Sequence, residues 1–360
     1  MTVSTEQVLQ ALKAVQDPDL QRDIVSLGFI QQLRVDGGRV AFAIELTTPA
    51  CPVRDTLKEQ ARAAVVALPG VTQVDVTMTS RVRPSQAATG HRLIPTIKHV
   101  IPIASGKGGV GKSTVSANLA LALARMGARV GLMDADVYGP SIPGMLGVTS
   151  APAVDGRNRI TPVVHQQVRI ISMGFFIKPH VAVMWRGPML HKTMEQFLGG
   201  VEWGELDYLL IDLPPGTGDV QLSLCQMIPI TGAVIVSTPQ DVALRVAQKA
   251  VQMFKKLNVP VLGIVENMSG YRCPHCGKHD DIFGLGGARA AAERQHLPLL
   301  GAIPLSTVIR ASCDAGRAVV ASAPESPEAQ AFMAAASQLA AHVSIQVMQE
   351  RAVPEANVTF

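Results

Sequence analysis

The chain has 360 residues, of which 48% are hydrophobic, 17% charged and only 4% aromatic. This composition is that of a folded protein with an aliphatic core, and it excludes an intrinsically disordered chain. The formal net charge of +4 is small for this length, and no block of like charges suits a phosphodiester backbone. We therefore predict no nucleic-acid partner.

Membrane and secretion signals are missing from the sequence. No apolar run approaches the ~18 residues that a membrane span requires. The first twenty residues contain Glu6, Asp17 and Asp19 and lack the cationic start and apolar stretch of a secretory signal. The five cysteines are an odd number in a large chain, which indicates reduced thiols rather than a disulfide framework. We therefore predict a cytoplasmic protein with no membrane partner.

The first eighty residues follow the pattern of a small α+β domain. Val8, Leu12 and Val15 have helical spacing, and two alternating stretches joined by Asp36-Gly37-Gly38 predict a hairpin. The predicted order is a helix over 4–15, strands over 29–35 and 39–46, a helix over 53–67 and a strand in "VTQVDVTM". We assign residues 1–80 to this α-β-β-α-β domain.

From Arg81 to Pro95 the sequence reads "RVRPSQAATGHRLIP", which is rich in Pro, Ser, Ala and Gly, and we predict a linker over residues 81–96. Short apolar runs then alternate with helical patterns, as expected for strands buried on both faces of a parallel sheet with crossover helices. We assign 97–349 to this larger domain, ending in a helix over about 327–349, and 350–360 to a tail. The predicted fold is therefore α/β, with a mostly parallel sheet flanked by helices and a small α+β domain in front.

A glycine-rich phosphate-binding loop follows the first of these strands. The stretch "GKGGVGKST" matches G-x-x-x-x-G-K-[ST] and is preceded by a buried strand and followed by a helical pattern. Glycines let backbone N–H groups turn toward phosphate oxygens, a lysine supplies a cation, and the following hydroxyl can ligate Mg²⁺. We predict nucleotide binding by Gly106, Lys107, Gly108, Gly109, Val110, Gly111, Lys112, Ser113 and Thr114, with Ser113 as a Mg²⁺ ligand.

Acidic residues end two of the buried strands. Asp134 and Asp136 lie in "LMDADVYGPS", and Asp212 lies in "LLIDLPPGTGD". A carboxylate after a buried aliphatic run is costly unless it holds a metal-bound water. Because open α/β sheets bind ligands at the carboxyl ends of their strands, we predict Asp212 as a second residue of the Mg²⁺ site.

The combination of "KGGVGKST", "DAD", "DLPPGTGD" and "ENMS" resembles the deviant Walker A class of P-loop ATPases, which includes MinD, ParA and the nitrogenase iron protein. This resemblance implies an ATPase in which Lys107 reaches across a homodimer interface to the phosphates bound by the partner. It also implies that Asp136 orients the attacking water and that Asn267 contacts the adenine edge. The resulting catalytic set is Lys107, Lys112 and Asp136.

A cysteine pair distinguishes this chain from MinD and ParA. Cys273 and Cys276 have the two-residue gap that lets two sulfurs face one metal, but a structural zinc or a [4Fe–4S] cluster generally needs four ligands. His275 and His279 are possible further ligands, while two pairs meeting on the axis of a homodimer give a simpler count. A shared iron–sulfur cluster, a zinc ion and a redox disulfide remain three readings of this pair.

The order of motifs over about 97–320 is similar to that of the Mrp/ApbC iron–sulfur cluster carrier family. These motifs are "GKGGVGKST", "DADVYGPSIP", "MWRGPM", "LIDLPPGTGD", "STPQDVAL", "ENMS", "CPHCG", "IFGLGG" and "LGAIPL". The resemblance implies an ATP-dependent scaffold or carrier that holds a labile [4Fe–4S] cluster between two subunits and passes it to apoproteins. Cys273 and Cys276 are then the cluster ligands, and hydrolysis is expected to be slow.

The front domain resembles a small domain of iron–sulfur assembly factors, through "DPDLQRDIVSLGFI", "TTPACP" and "LPGVTQVDV". In that context Cys51 is a candidate for transient contact with a cluster or iron, and a buried small side chain is the alternative. We expect Cys225 to belong to the core and Cys313 to be incidental. In "MWRGPM", Arg186 and Gly187 are candidates for a loop near the dimer face.

A rival function remains open at this level. A spatial-organising ATPase of the MinD or ParA kind would carry a structural zinc at the cysteines, and it would need a basic DNA-facing patch or a basic amphipathic membrane helix. The terminal helical segment has few cations and does not resemble a membrane anchor. An electron-transferring reductase component is a second rival, but its cluster cysteines lie far apart in sequence.

Overall fold

The structure is a computed structural model that describes residues 3–85, 91–177, 187–216 and 218–352. The chain divides into two compact units, Met1–Arg83 and Pro84–Phe360. Each unit has its own sheet and its own buried side chains, and each is described separately.

The first unit contains the predicted helix, hairpin, helix and strand. Its sheet has the order β3-β4-β5, with β3 and β4 antiparallel and β4 and β5 parallel. A capping box between Ser4 and Gln7 starts the first helix. The elements are α1 (Thr5–Leu12), β1 (Gln16–Asp17), β2 (Arg22–Asp23), β3 (Ile30–Asp36), β4 (Arg39–Leu46), α2 (Arg54–Val66) and β5 (Gln73–Ser80). The two-residue strands β1 and β2 were not expected, because "DPDL" carries no strand pattern.

The second unit is an α/β domain. Its helices are α3 (Lys112–Arg125), α4 (Ile142–Met145), α5 (Gly187–Gly199), α6 (Asp219–Met227), α7 (Asp241–Lys256), α8 (Gly287–Arg294), α9 (Thr307–Asp314), α10 (Val319–Ser322) and α11 (Pro327–Ala352). Its strands are β6 (Ile97–Ser105), β7 (Val130–Asp134), β8 (Ala153–Val154), β9 (Ile160–Thr161), β10 (Val163–His165), β11 (Val168–Ser172), β12 (Leu206–Asp212), β13 (Ala233–Ser237), β14 (Val261–Arg272), β15 (His279–Asp280) and β16 (Leu299–Leu305).

Seven strands of this unit form a parallel sheet in the order β11-β7-β12-β6-β13-β14-β16. Strand β10 pairs antiparallel with β11, and β15 pairs antiparallel with the end of β14. All residues of β7, β12 and β13 are buried, as the apolar runs predict for strands covered on both faces. The expected mostly parallel α/β fold is confirmed.

Strands β8 to β11 are absent from the sequence-based prediction. They are short, and β10 and β11 follow each other through the turn residues Gln166 and Gln167, which have positive φ angles. No apolar run marks them as clearly as those of the central strands. Strand β11 is nevertheless a full member of the parallel sheet, because β7 supplies its partner.

Helix α11 is long, and its segment Pro327–Glu350 is apolar enough by composition to cross a membrane. Its apolar side chains are instead packed inside the unit, against α3, β14 and β16. Phe332, Leu339 and Val343 are all fully or almost fully buried. This packing is that of a core helix.

The amino ends of β6, β7 and β12 are joined by one buried carboxylate. Asp207 accepts hydrogen bonds from Lys98 Nζ at 2.8 Å, from the Arg129 backbone N–H at 2.9 Å and from Arg129 Nη2 at 3.0 Å. Burial raises the pKa of Asp207, but the hydrogen bonds from Arg129 and Lys98 outweigh it and lower the pKa to about 2. Arg129 also binds the exposed carboxylate of Glu205.

We predict that Asp207→Asn lowers the free energy of unfolding of the second unit by about 1–3 kcal/mol at pH 7, because two cations lose their common charged acceptor. Since the folded-state pKa is depressed, this stabilisation is present above about pH 4 and is lost as the pH falls toward about 2. Urea unfolding followed by tryptophan fluorescence measures it, because both tryptophans lie in this unit.

The matched control is Glu205→Gln, which alters the partner of the same arginine at a side chain that is 73% exposed. Exposed ion pairs contribute little, so we expect a change below about 0.5 kcal/mol. Equal losses for the two variants at pH 7 would contradict the role assigned to the buried carboxylate.

Candidate nucleotide and thiol sites

The P-loop, residues 106–113, connects β6 to α3 at the carboxyl edge of the sheet. Gly111 has a φ of +79° and would place a Cβ 2.1 Å from Asn267 Nδ2, so only glycine fits there. A Cβ on Gly106 would lie 2.4 Å from the backbone carbon of Val246, because α7 passes directly behind the loop. The cavity of about 200 Å³ above the loop is lined by Ser105, Lys107, Gly108, Gly109, Val110, Gly111, Lys112, Ser113, Thr114, Asp136, Met145 and Pro215.

The P-loop lysine, Lys112, forms an ion pair with a fully buried carboxylate. Lys112 Nζ lies 2.7 Å from Asp212 Oδ1, and only 6% of the lysine side chain is exposed. Ser113 donates to Asp212 Oδ2 and Ser116 to Oδ1, both at 2.6 Å. A buried charge is tolerated when it is paired and hydrogen-bonded, and Asp212 has three such partners.

Asp134 lies beside Asp212, because the two residues are in register on β7 and β12. It accepts a hydrogen bond from Ser172 Oγ at 2.9 Å and one from the Ile142 N–H at 3.3 Å. Burial and the neighbouring charge of Asp212 raise the pKa of Asp134. The two carboxylates and Ser113 Oγ are the hard oxygen donors that Mg²⁺ prefers, so the residues present fit such an ion.

Asp136 is placed differently from Asp134. It lines the cavity above the P-loop and accepts a hydrogen bond from the Gly139 N–H at 3.3 Å. Its own N–H donates to Asp134 Oδ1 at 3.1 Å, which ties the two sequence-predicted acids together. Asp136 is therefore the acid of this pair whose side chain faces the cavity.

Lys107 and Asn267 both lie at the P-loop. Lys107 lines the cavity and is partly exposed, and among the described residues no carboxylate forms an ion pair with it. Asn267 is buried and donates from Nδ2 to the Val110 carbonyl at 2.8 Å. The structure thus brings Asn267, from β14, into direct contact with the loop that the sequence assigns to phosphate.

Two residues near the site escaped sequence analysis. Gln221 donates from Nε2 to the carbonyls of Pro214 and Gly216, which holds the loop after Asp212 against α6. Glu266 is buried on β14 and accepts from Ser269 Oγ and from the Ala288 N–H at the start of α8. Gln221 belongs to no recognisable spacing, while Glu266 opens the "ENMS" motif, in which the resemblance assigns a role to Asn267 alone; the contact of Glu266 with Ala288 exists only because folding brings the two together.

The cysteine pair lies in a tight turn between β14 and β15. The Cys273 N–H donates to the Lys278 carbonyl and the Gly277 N–H donates to the Cys273 carbonyl, both at 2.9 Å. The predicted loop is therefore a short hairpin, with Arg272 paired to His279. Hydrogen bonds from the backbone N–H groups of Cys276 and His275, and from the Cys276 thiol, lower the pKa of the Cys273 thiol.

These two thiols do not have a complete ligand set around them. Cys276 is exposed and Cys273 is partly exposed. His279 Nδ1 lies 3.3 Å from Asp281 Oδ1 rather than in a thiol cluster. Across the described part of the chain, no group of three or more His, Cys, Asp or Glu side chains is arranged to hold a metal ion. Within the described residues, one chain therefore offers two neighbouring thiols at this hairpin without a third or fourth ligand beside them.

The other three cysteines do not have the properties of a metal-binding thiol. Burial raises the pKa values of Cys51 and Cys225 to about 11, and Cys225 packs against the hydrophobic core. Burial also raises the pKa of Cys313, and its interaction with the Thr114 side chain of α3 partly opposes that rise. Contact with the nucleotide-binding helix was not foreseen for Cys313. Arg186 lies outside the described residues, and Gly187 is the first residue of α5.

Two protein families match the chain. The family described as NUBPL iron-transfer P-loop NTPase matches residues 96–340, and the family described as iron-sulfur cluster assembly protein matches residues 5–76. The P-loop, the acids and the cysteine hairpin all fall within the first match.

Relatives of known name align over nearly the whole chain. An iron-sulfur cluster carrier protein of Deinococcus radiodurans is 50% identical over 344 residues, covering 95% of this chain and 97% of the relative. One from Synechocystis sp. is 46% identical over 352 residues, covering 96% and 99%.

Solved structures resemble the second unit. A nucleotide-binding protein of Archaeoglobus fulgidus in complex with ADP is 40% identical with a TM-score of 0.58, covering 67% of this chain and 94% of that one. The septum site-determining protein MinD of Pyrococcus horikoshii, complexed with Mg-ADP, is 27% identical with a TM-score of 0.50, covering 66% and 94%. The fold, the P-loop geometry and these matches together establish that the chain belongs to the Mrp/ApbC family of iron–sulfur cluster carrier P-loop NTPases.

Proposed function

We propose that this protein is a cytoplasmic ATPase that carries a labile [4Fe–4S] cluster between two copies of the chain and transfers it to apoproteins. The observation that supports this most strongly is the hairpin of Cys273 and Cys276, which offers two accessible thiols with no third ligand grouped beside them in the described parts of the chain. A cluster that must leave again is best held where solvent and a client can reach it. The absence of any disulfide among the five cysteines fits a reducing compartment.

The ligand count favours a homodimer. A [4Fe–4S] cluster takes four thiolates, and two hairpins related by a two-fold axis supply four. The lowered pKa of Cys273 increases its thiolate fraction, and the thiolate is the form that binds metal. Zinc binds to the same kind of sulfur ligands, so the metal found in the purified protein tests the cluster assignment.

The P-loop residues have separate roles in the proposed hydrolysis. Backbone N–H groups of residues 106–113 and the N-terminus of α3 bind phosphate oxygens, and Lys112 neutralises their charge. Asp136 orients the attacking water from its position on the cavity wall. Mg²⁺, held by Ser113 and Asp212, would supply charge neutralisation for the phosphates when bound. Asn267 contacts the adenine edge while its Nδ2 stays tied to Val110.

Lys107 completes the site of the partner subunit in this proposal. Its side chain is partly exposed and has no carboxylate partner among the described residues, so it is available to reach out of its own protomer. A cation that acts only in the dimer makes hydrolysis depend on assembly. Slow turnover follows, because such a site acts as a timing switch rather than a metabolic enzyme.

One strand connects the two sites. Asn267 contacts the P-loop and Cys273 follows the last residue of the same β14, six positions further along. Six residues of extended chain span at most about 20 Å. A nucleotide-dependent movement of the P-loop would therefore be passed to the thiols along this short stretch of β14. We propose that this link couples the affinity for the cluster to the nucleotide state.

Replacing both Cys273 and Cys276 by alanine is expected to abolish cluster binding. After anaerobic reconstitution with ferrous iron and sulfide, the unaltered protein should be brown, dimeric and contain about two irons and two acid-labile sulfides per chain. The variant should be colourless, while Cys225→Ala should behave like the unaltered protein. A stoichiometric cluster in the double variant, or a colourless unaltered protein that contains zinc, would refute the assignment.

Lys107→Ala should reduce ATP hydrolysis at least about tenfold while changing the dissociation constant of ATP by no more than about threefold, since a trans-acting cation stabilises the transition state. Lys112→Ala should weaken binding itself. Lys255→Ala, at an exposed position of α7, serves as the control with both parameters unchanged. Parallel losses of binding and hydrolysis in Lys107→Ala would contradict a role in the partner's site.

The thiols should also differ in reactivity in the metal-free protein. Because its pKa is lowered, Cys273 should react with iodoacetamide at pH 7.5 at least about tenfold faster than Cys51 or Cys225, whose pKa values are about 11. Its rate should level off with rising pH while the other two continue to increase. Mass spectrometry of the labelled peptides measures each rate, and equal rates with one common pH profile would oppose this account.

A further inference from the structure

A groove of about 750 Å³ lies between α6 and α7, outside the nucleotide and thiol sites. Leu222 of α6, Met253 of α7 and Leu257 after its end provide an apolar lining. Leu222 is 41% exposed, although it is a large apolar residue on a helix whose other side is packed in the core. Exposed apolar side chains grouped in a concave surface are typical of a binding site.

The groove is also basic. Arg245, Lys249 and Lys256 line it, and all three are exposed. Among the described residues, none of these cations has an ion-pair partner within 4.0 Å, and no described lining residue is acidic. Unpaired cations along an apolar lining attract a ligand that carries negative charge and apolar groups together.

The spacing of the cations defines the length of the ligand. Positions 245, 249 and 256 lie on one face of α7, the face opposite to Ala247, Val251 and Phe254, which are buried. Eleven residues of α-helix span about 16 Å, or three turns. A partner helix of similar length, laid along the groove, would place acidic side chains against these cations and apolar ones against the lining.

Both walls of the groove touch the nucleotide site. On the α7 side, Val246 and Ala247 pack directly behind Gly106 of the P-loop. On the α6 side, Gln221 precedes Leu222 and holds the carbonyls of Pro214 and Gly216, in the loop that follows Asp212. Helices α6 and α7 therefore lie between a ligand in the groove and the phosphate-binding loop, and each of them contacts that loop or the loop after Asp212.

We propose that this groove is a docking site for an acidic amphipathic helix of a partner protein. The apolar, concave lining favours a helix over nucleic acid, which would require a denser row of cations. It also favours a helix over a bilayer surface, which needs a protruding rather than a recessed apolar face. The proposal does not depend on cluster carriage, because none of the described residues that line the groove is a cysteine.

A defined peptide tests this site on the full chain without a cluster. The probe is a fluorescent, 15-residue helical peptide with leucines on one face and glutamates beside them, compared with the same peptide carrying lysines in place of the glutamates. Fluorescence anisotropy should show saturable binding of the acidic peptide alone, weakening as salt is raised. Lys249→Glu and Leu222→Asp should each weaken binding at least about tenfold.

The matched control is Lys255→Glu, which reverses a neighbouring exposed cation on α7 that does not line the groove. It should bind the acidic peptide within about twofold of the unaltered protein. Retained ATP binding in each variant verifies the fold and separates failure of docking from failure of the proposed ATPase.

Several outcomes would overturn the proposal. Equal weakening by Lys255→Glu would indicate diffuse charge attraction, and an unaffected Leu222→Asp would exclude the apolar lining. A change of oligomeric state in Lys249→Glu would assign the groove to a second copy of this chain. Binding of phosphatidylglycerol vesicles, dependent on Lys249 and without peptide binding, would assign it to a lipid surface.

Discussion

The buried carboxylate of Asp212 is the feature on which the nucleotide site depends. It lies at the end of a central strand, fully enclosed, and three groups of α3 converge on it: the Lys112 ammonium and the hydroxyls of Ser113 and Ser116. Removing such a charge from water is tolerable only with this degree of pairing. The same contacts fix the start of α3 against the sheet, so the P-loop is shaped before any ligand arrives.

The parallel sheet explains why the acids meet. Asp134 and Asp212 end neighbouring strands in register, and Ser172 continues the row on β11. Each strand delivers one polar side chain to the same edge, and the crossover helices deliver their N-termini to it. At the opposite edge, Asp207 forms ion pairs with Lys98 and Arg129 and so links the amino ends of three strands. Buried charge therefore stabilises the sheet at this edge and shapes the nucleotide site at the other.

The five cysteines differ in pKa and in exposure because their surroundings differ. Cys51, Cys225 and Cys313 are partly enclosed and burial raises their pKa values, whereas the hairpin N–H groups lower that of Cys273. Of the five, only Cys273 combines a lowered pKa with accessibility, and the exposed Cys276 lies three residues after it. A carrier needs both properties, because metal binding requires the thiolate and transfer requires access.

The sequence by itself determined the features whose chemistry is local. The P-loop and the cysteine pair have fixed spacing, and the buried strands are continuous apolar runs, so residues close in sequence carry the whole signal. The tertiary structure decided what depends on residues far apart in sequence: the contact of Asn267 with Val110, the hydrogen bonds of Gln221 and Glu266, the contact of Cys313 with Thr114, and the groove between α6 and α7. Strands β8 to β11 belong to the same group, since their short sequences carry a weak pattern and pairing with other strands defines them.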